Sequence, residues 1–266
     1  MRLLFVTAAL AAQALTAPAV QAAEPFKVYD KFSNPSIDPS RWFDTEKARF
    51  IKNGALHIMQ RTWGNTASDF NFTTFNWASS FTNSQYITQI RARVTVDGVE
   101  SSPCPANSLV GDARARIAGN FFNTGTASPG SMVNDVFAQL RLIRLSNSSD
   151  PAGTLRVQGL ASVCSNVDCS ASVTIDPVVD LGTVTVGTPT TLQLVWDQAA
   201  RTFQFSRDGA PPGTVTYTYP TSNPPGVTNK QMGTRVNAPN CFSAPRVNGM
   251  IDARFDNVSV NQTALP

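Results

Sequence analysis

The feature that most restricts what this chain can fold into is a two-residue period that returns in one short segment after another. In "QYITQIRARVTV", Ile90, Ala92, Val94 and Val96 alternate with Gln89, Arg91, Arg93 and Thr95, the spacing that puts apolar side chains on one face of an extended strand. "NDVFAQLRLIRL", "TLRVQGLASV", "TTLQLVWD", "RTFQFSRDG" and "GTVTYTYP" repeat the style, each closed by Gly, Pro, Asn or Asp. Such residues end strands because they favour turns, and about a dozen strands of this kind fit the chain. No long 3.6-residue periodicity follows the N-terminal segment, so helices should be few. Each strand must bury one face against another sheet. The reading is therefore an all-β, two-sheet antiparallel β-sandwich or jelly roll.

Residues 1–22 read as a signal peptide. Arg2 supplies the positive charge, Leu3 to Leu15 form a short apolar run, and "VQA" precedes Ala23, the small-residue pattern of a cleavage site between Ala22 and Ala23. The protein is expected to be secreted or periplasmic, with residues 23–266 forming one sandwich domain, a class that reaches about 250 residues as a single unit. No later segment approaches the roughly 20 apolar residues of a membrane helix. Cleavage removes Arg2 as the only charged residue and takes the formal charge from +3 to +2, a balance that points to no nucleic-acid partner. Four cysteines in an exported chain should be oxidised. Cys164 and Cys169 bracket the turn-like "SNVD", which suits a local bridge and leaves Cys104 to pair with Cys241.

Three further pieces arrive in a recognisable order. "VYDKFSNPSIDPSRWF" followed by "NGALHI", then "TLQLVWDQAARTFQFSRDG", and last "ARFDNVSV" resemble the opening strands, the paired Trp-Asp strands and the final strand of concanavalin A-like lectin and glucanase domains. The resemblance runs loosely over residues 28 to 260. It implies a jelly roll with one concave face on which polysaccharide is bound or cleaved. It also implies a structural calcium between the first and last strands, with Asp30 and Asp256 in the places of its carboxylate ligands.

The Glu-x-Asp-x-x-Glu run of laminarinase-type glucanases is absent. Asp135, Phe137 and Gln139 share a strand face in "NDVFAQL", but one carboxylate is not a pair. Asp252 and Asp256 lie four residues apart, about 13 Å along a strand, wider than the roughly 5 to 9.5 Å that glycoside hydrolysis needs, and Arg254 between them suggests a salt-bridged row. His57 is the only histidine and sits in an alternating strand, so a serine-type triad and a metal site both lack support. "QIRAR" and "TYTY" supply the residue types of polysaccharide lyases without their motifs.

Arginine placement is more unusual. Arg91 and Arg93, Arg114 and Arg116, and Arg141 occupy alternate positions of successive strands, which is expected to stack them on one sheet face. Guanidinium forks suit the carboxylate or sulfate groups of an acidic polysaccharide; the plainer reading is a solvated face with cross-strand charge pairs. In "RTWGNTASDFNFTTFNW", Phe70 and Phe72 share one parity and Phe75 and Trp77 the other, so some rings must be core. Trp63, before a loop, is a candidate for stacking on a sugar ring, while Trp42 and Trp196 are expected to fill the sandwich. The function that follows is non-catalytic, lectin-like binding of extracellular or cell-wall polysaccharide. The rivals are a hydrolase or lyase of the same fold and an envelope module that contacts other proteins.

Overall fold

The computed structural model describes residues 28, 31, 33, 36, 38, 41–42, 46–242 and 246–265. The signal segment lies outside them. The chain divides into residues 1–35 and residues 36–266, and every strand belongs to the second unit.

Thirteen strands follow in order: β1 (Glu46–Lys52), β2 (Ala55–Trp63), β3 (Phe72–Ser80), β4 (Gln89–Ser101), β5 (Asp112–Asn123), β6 (Asp135–Leu145), β7 (Thr154–Cys164), β8 (Ser172–Thr185), β9 (Thr190–Asp197), β10 (Thr202–Arg207), β11 (Gly213–Thr216), β12 (Lys230–Pro239) and β13 (Asn248–Val260). Two three-residue 3-10 turns, at Ser84–Tyr86 and Gln262–Ala264, are the helical elements among the described residues. The strands form a seven-stranded sheet, β1-β2-β13-β4-β9-β10-β11, and a six-stranded sheet, β3-β12-β5-β6-β7-β8. Every pairing is antiparallel. The two-sheet antiparallel sandwich read from the alternation is thus the observed architecture.

The core lies between the sheets. β4 contributes Ile90, Ala92, Val94 and Val96, as its alternation dictates, and β5 and β6 answer with Ala113, Ala115, Ile117, Leu140 and Leu142. Trp196 stacks on Phe122 at 5.6 Å and donates from Nε1 to the Tyr217 hydroxyl at 2.7 Å, so this tryptophan fills the sandwich as expected. Trp42 does not; it is 38 % exposed. Pro177 falls in β8, an edge strand of its sheet, where a missing backbone donor is tolerated. Two disulfides, Cys104–Cys241 and Cys164–Cys169, reproduce the expected pairing. The first ties the chain leaving β4 to the chain leaving β12. The second closes the turn that follows β7.

Candidate binding face

Side chains that point away from the core on the six-stranded sheet build an unusual surface. Cross-strand register sets Asn76 of β3 opposite Arg235 of β12, Arg235 opposite Arg114 of β5, and Arg114 opposite Ile143 of β6. One pleat along, Arg116 of β5 stands opposite Arg141 of β6, and Arg141 opposite Gln158 of β7. Four arginines therefore occupy neighbouring positions on three adjacent strands, in two directly opposed like-charge pairs. Like charges in that register destabilise a sheet.

Two of these are buried and two, Arg141 and Arg235, are half-buried. Arg114 is 7 % and Arg116 4 % exposed. The side-chain hydrogen bonds that hold them run largely to neutral amides. Arg116 donates to Gln139 Oε1 at 3.2 Å and to Asn76 Oδ1 at 3.0 Å. Arg141 donates to Gln158 Oε1 at 3.0 Å, and Arg235 to Asn237 Oδ1 at 3.1 Å. Phe137 lies under the Arg116 guanidinium at 5.5 Å, a cation–π contact. On the sheet itself one carboxylate answers the four: Asp112 Oδ1 lies 3.3 Å from Arg114 Nε, close enough to pair but too poorly aligned to make a hydrogen bond, and its other oxygen accepts from Asn237 Nδ2. Arg141 Nε is buried with no hydrogen-bond partner.

Arg116, Arg141 and Arg235 share one electrostatic consequence. Burial, then the neighbouring charges of Arg114, Arg235 and Arg141, hold the Arg116 pKa well below the usual guanidinium range. Burial and then Arg114 lower Arg141 to about 9, and the same two causes lower Arg235 to about 10. Asp168, in the Cys164–Cys169 turn, adds an attractive charge to Arg235 from the rim. The shifts at Arg116, Arg141 and Arg235 record desolvation and mutual repulsion held in the folded state.

The structure redistributes the expected site residues. Arg114, Arg116 and Arg141 share a face, but Arg91 and Arg93 belong to β4 and lie exposed on the outside of the other sheet. Arg93 pairs there with Asp256 at 2.8 Å. The expectation of one five-arginine face is corrected to three of those residues joined by Arg235. The cross-strand charge pairs of the plainer reading are not found among them: their cross-strand neighbours are arginines, amides, Ile143 and Gly233. Trp63 is 5 % exposed and offers no ring for a sugar to stack on. Phe75 and Trp77 turn inward while Phe70 and Phe72 are exposed, as parity required. His57 stacks on Phe50 at 4.8 Å, on the seven-stranded sheet. Arg254 forms a bidentate pair with Asp97 at 2.6 and 2.7 Å, so the expected row through Asp252 and Asp256 does not form. Asp135 is wholly buried, where it accepts from Asn123 Nδ2 and from the backbone N–H groups of Gly226 and Val227; it anchors a loop.

Of the two residues implied as calcium ligands, Asp30 lies outside the described residues and Asp256 is paired with the Arg93 guanidinium. A group with metal-ligand spacing, Asp69 with Cys104 and Cys241, has both sulfurs committed to a disulfide. Arg235 escaped sequence reasoning because "KQMGTRVNAP" alternates weakly, with Gly233 and Thr234 at its centre. Gly233 is required, since a Cβ there would run into Trp77 O on β3.

No family model matches the chain, and no curated protein sequence matches it. Solved structures do match. The κ-carrageenase of Pseudoalteromonas carrageenovora in complex with an oligotetrasaccharide of κ-carrageenan is 12 % identical with a TM-score of 0.37, over 78 % of this chain and 81 % of that one. A family 7 alginate lyase, A1-II′, with substrate is 13 % identical with a TM-score of 0.37, over 82 % of each chain. Carbohydrate-binding module CBM66 of Bacillus subtilis is 12 % identical with a TM-score of 0.32, over 81 % and 90 %. Matches at these scores carry no argument about ligand or reaction; the sandwich architecture rests on the strand pairing itself.

Proposed function

We propose that the outer face of the six-stranded sheet binds an acidic polysaccharide without cleaving it, and that the protein does so outside the cytoplasm, in the secreted or periplasmic space that its leader sequence and two disulfides suit. The observation that carries the reading is the arginine quartet, two of its members buried and two half-buried, four guanidiniums answered on the sheet by one carboxylate among the described residues. Buried charges without counter-ions are costly. A ligand bearing carboxylate or sulfate groups would relieve both the desolvation and the like-charge register, through forks preorganised by Gln139, Gln158 and Asn76.

The chemistry for cleavage finds no support on this face. A glycosidase needs a carboxyl group held protonated as general acid. Asp112 is committed to Arg114 and Asn237, and Asp150 is pushed the other way, its pKa lowered by hydrogen bonding to Arg156. The segments richest in lyase-type residues lie elsewhere: "QIRAR" is on β4, and Tyr217 is buried against Trp196.

The test is retention on immobilised polygalacturonate, a sulfated galactan and neutral dextran, with the eluted polymers assayed for new reducing ends and for unsaturated uronate. Retention on the acidic polymers with no product is expected. Product formation would establish the enzymatic rival. No retention on any of them would move the reading to a protein-contact role.

A further inference from the structure

The arginine quartet does not end the face. Beside Arg141, toward β7, lies a pocket of about 190 Å³ lined by the apolar Ile143 and Leu145, by Asn147 and Ser148, and by Arg156 and Gln158. Ile143 is opposite Arg114 on one side and opposite Arg156 on the other, so the pocket adjoins the quartet in the direction that crosses the strands. Gln158 belongs to both, because its Oε1 accepts from Arg141.

The one charged residue of the pocket's lining, Arg156, is neutralised. Arg156 is clamped by Asp150, with Nε to Oδ2 at 2.9 Å and Nη2 to Oδ1 at 3.1 Å, and its Nη1 reaches Asp180 Oδ2 at 3.3 Å. Asp150 also feels Arg144, whose Nη1 donates to the Asp150 backbone oxygen at 2.9 Å, so the two carboxylates and the two guanidiniums balance and the pocket offers an incoming anion no unanswered positive charge. What remains for a ligand is an apolar floor for the C–H face of a pyranose and hydroxyl and amide groups at hydrogen-bonding height, the pattern of a neutral-sugar site. Neighbouring strands lie about 4.8 Å apart, close to the advance of one pyranose along a glycan chain. The quartet spans β12, β5 and β6 and the pocket begins at β6, so a chain laid across the strands with an anionic unit beside Arg141 sets its next unit over the pocket.

We propose that this pocket is a subsite for an uncharged sugar, so that the ligand is a polysaccharide that places a neutral unit beside an anionic one, as an alternating polymer does and a homopolymer of charged units does not. The proposal rests on the acidic-polysaccharide reading above and fixes its charge pattern.

Two matched pairs of oligosaccharides of equal length test it by titration calorimetry. For carboxylates, hyaluronan oligomers, which alternate glucuronate with a neutral amino sugar, are set against oligogalacturonate. For sulfates, κ-carrageenan oligomers are set against fragments of dextran sulfate. Charge density alone favours the homopolymer in each pair. The subsite requires the alternating oligomer to bind at least about threefold more tightly in whichever pair binds, the scale of one or two partly exposed charge contacts. Asp180→Asn, at a side chain 49 % exposed, is expected to raise homopolymer affinity severalfold while leaving the alternating oligomer within about twofold. Tighter homopolymer binding, with Asp180→Asn acting equally on both, overturns the subsite and leaves the acidic-polysaccharide reading standing. Binding of neither pair overturns both.

Discussion

Arg116 and Arg141 face each other across the β5–β6 ladder, and each guanidinium takes a glutamine oxygen for a hydrogen-bond partner, Gln139 for one and Gln158 for the other. A sheet that served stability alone would place a carboxylate in one of the two positions. Neutral amides hold the guanidiniums in place without cancelling their charge, so the charge remains available to a ligand.

Replacing Arg141 should therefore separate stability from binding. Arg141→Met removes a desolvated charge and an unpartnered Nε, and is expected to leave folding stability unchanged or raise it by about 1 kcal/mol. Loss of charged hydrogen bonds to the ligand should weaken acidic-polymer affinity about tenfold. Thermal unfolding and calorimetric titration of the same preparation read the two effects.

Arg91 and Arg93 supply the control. They carry the same charge on the other side of the sandwich, beyond a Debye length of about 8 Å from the quartet. Arg91→Gln with Arg93→Gln should leave affinity within about twofold at physiological salt. A loss as large as that of Arg141→Met would mean that overall positive charge, not the quartet, captures the polymer.

Lys230 gives a pH signature. Its Nζ is buried, donating to Ser84 O at 3.2 Å and to Asn120 O and lying 4.5 Å above the Phe121 ring. Burial lowers its pKa to about 8, with Asp135 acting weakly in the other direction. The unfolded chain, with a lysine pKa of about 10.4, then binds more protons than the folded one between these values. Stability from this group should rise with pH from about 8 toward 10.4, and the burial penalty is fully present below 8. Denaturant midpoints across that range should climb more steeply for the native sequence than for Lys230→Met.

The two disulfides should differ in worth. Cys104 and Cys241 are separated by 137 positions and Cys164 and Cys169 by 5. Loop-closure entropy assigns about 5 kcal/mol to the first and about 2 kcal/mol to the second. Paired Cys→Ser variants at each bridge, unfolded in denaturant, should show that order. The smaller bridge also holds the turn bearing Asp168, so its loss should perturb ligand affinity more than its stability effect suggests.

What the sequence made legible follows from what is local in it. Alternation identified the inward face of β4 without error, and a four-residue polar turn was enough to pair Cys164 with Cys169. Alternation says which residues share a face within one strand. It is silent on which sheet that strand joins. β4 pairs with β13 and β9, while β5 pairs with β12 and β6, so the chain changes sheet between Ser101 and Asp112, and Arg91 and Arg93 part from Arg114 and Arg116 there. Arg235 arrives from 94 positions beyond Arg141 through a strand whose central Gly233 hides its period. The amide partners were invisible for a related reason, since Gln139 and Gln158 read as ordinary polar positions until strand pairing sets them beside guanidiniums.

The central claim is that the quartet meets anionic groups on a polysaccharide. The most direct test is the affinity of the purified protein for acidic oligosaccharides as salt is raised from about 0.05 to 0.5 M, a range over which screening shortens severalfold in effect, with Arg116→Gln alongside. The account predicts that affinity falls steadily with salt, that the slope is shallower for Arg116→Gln, and that a neutral oligosaccharide of equal length is not bound. Salt-insensitive binding, or an unchanged slope in the variant, would contradict it.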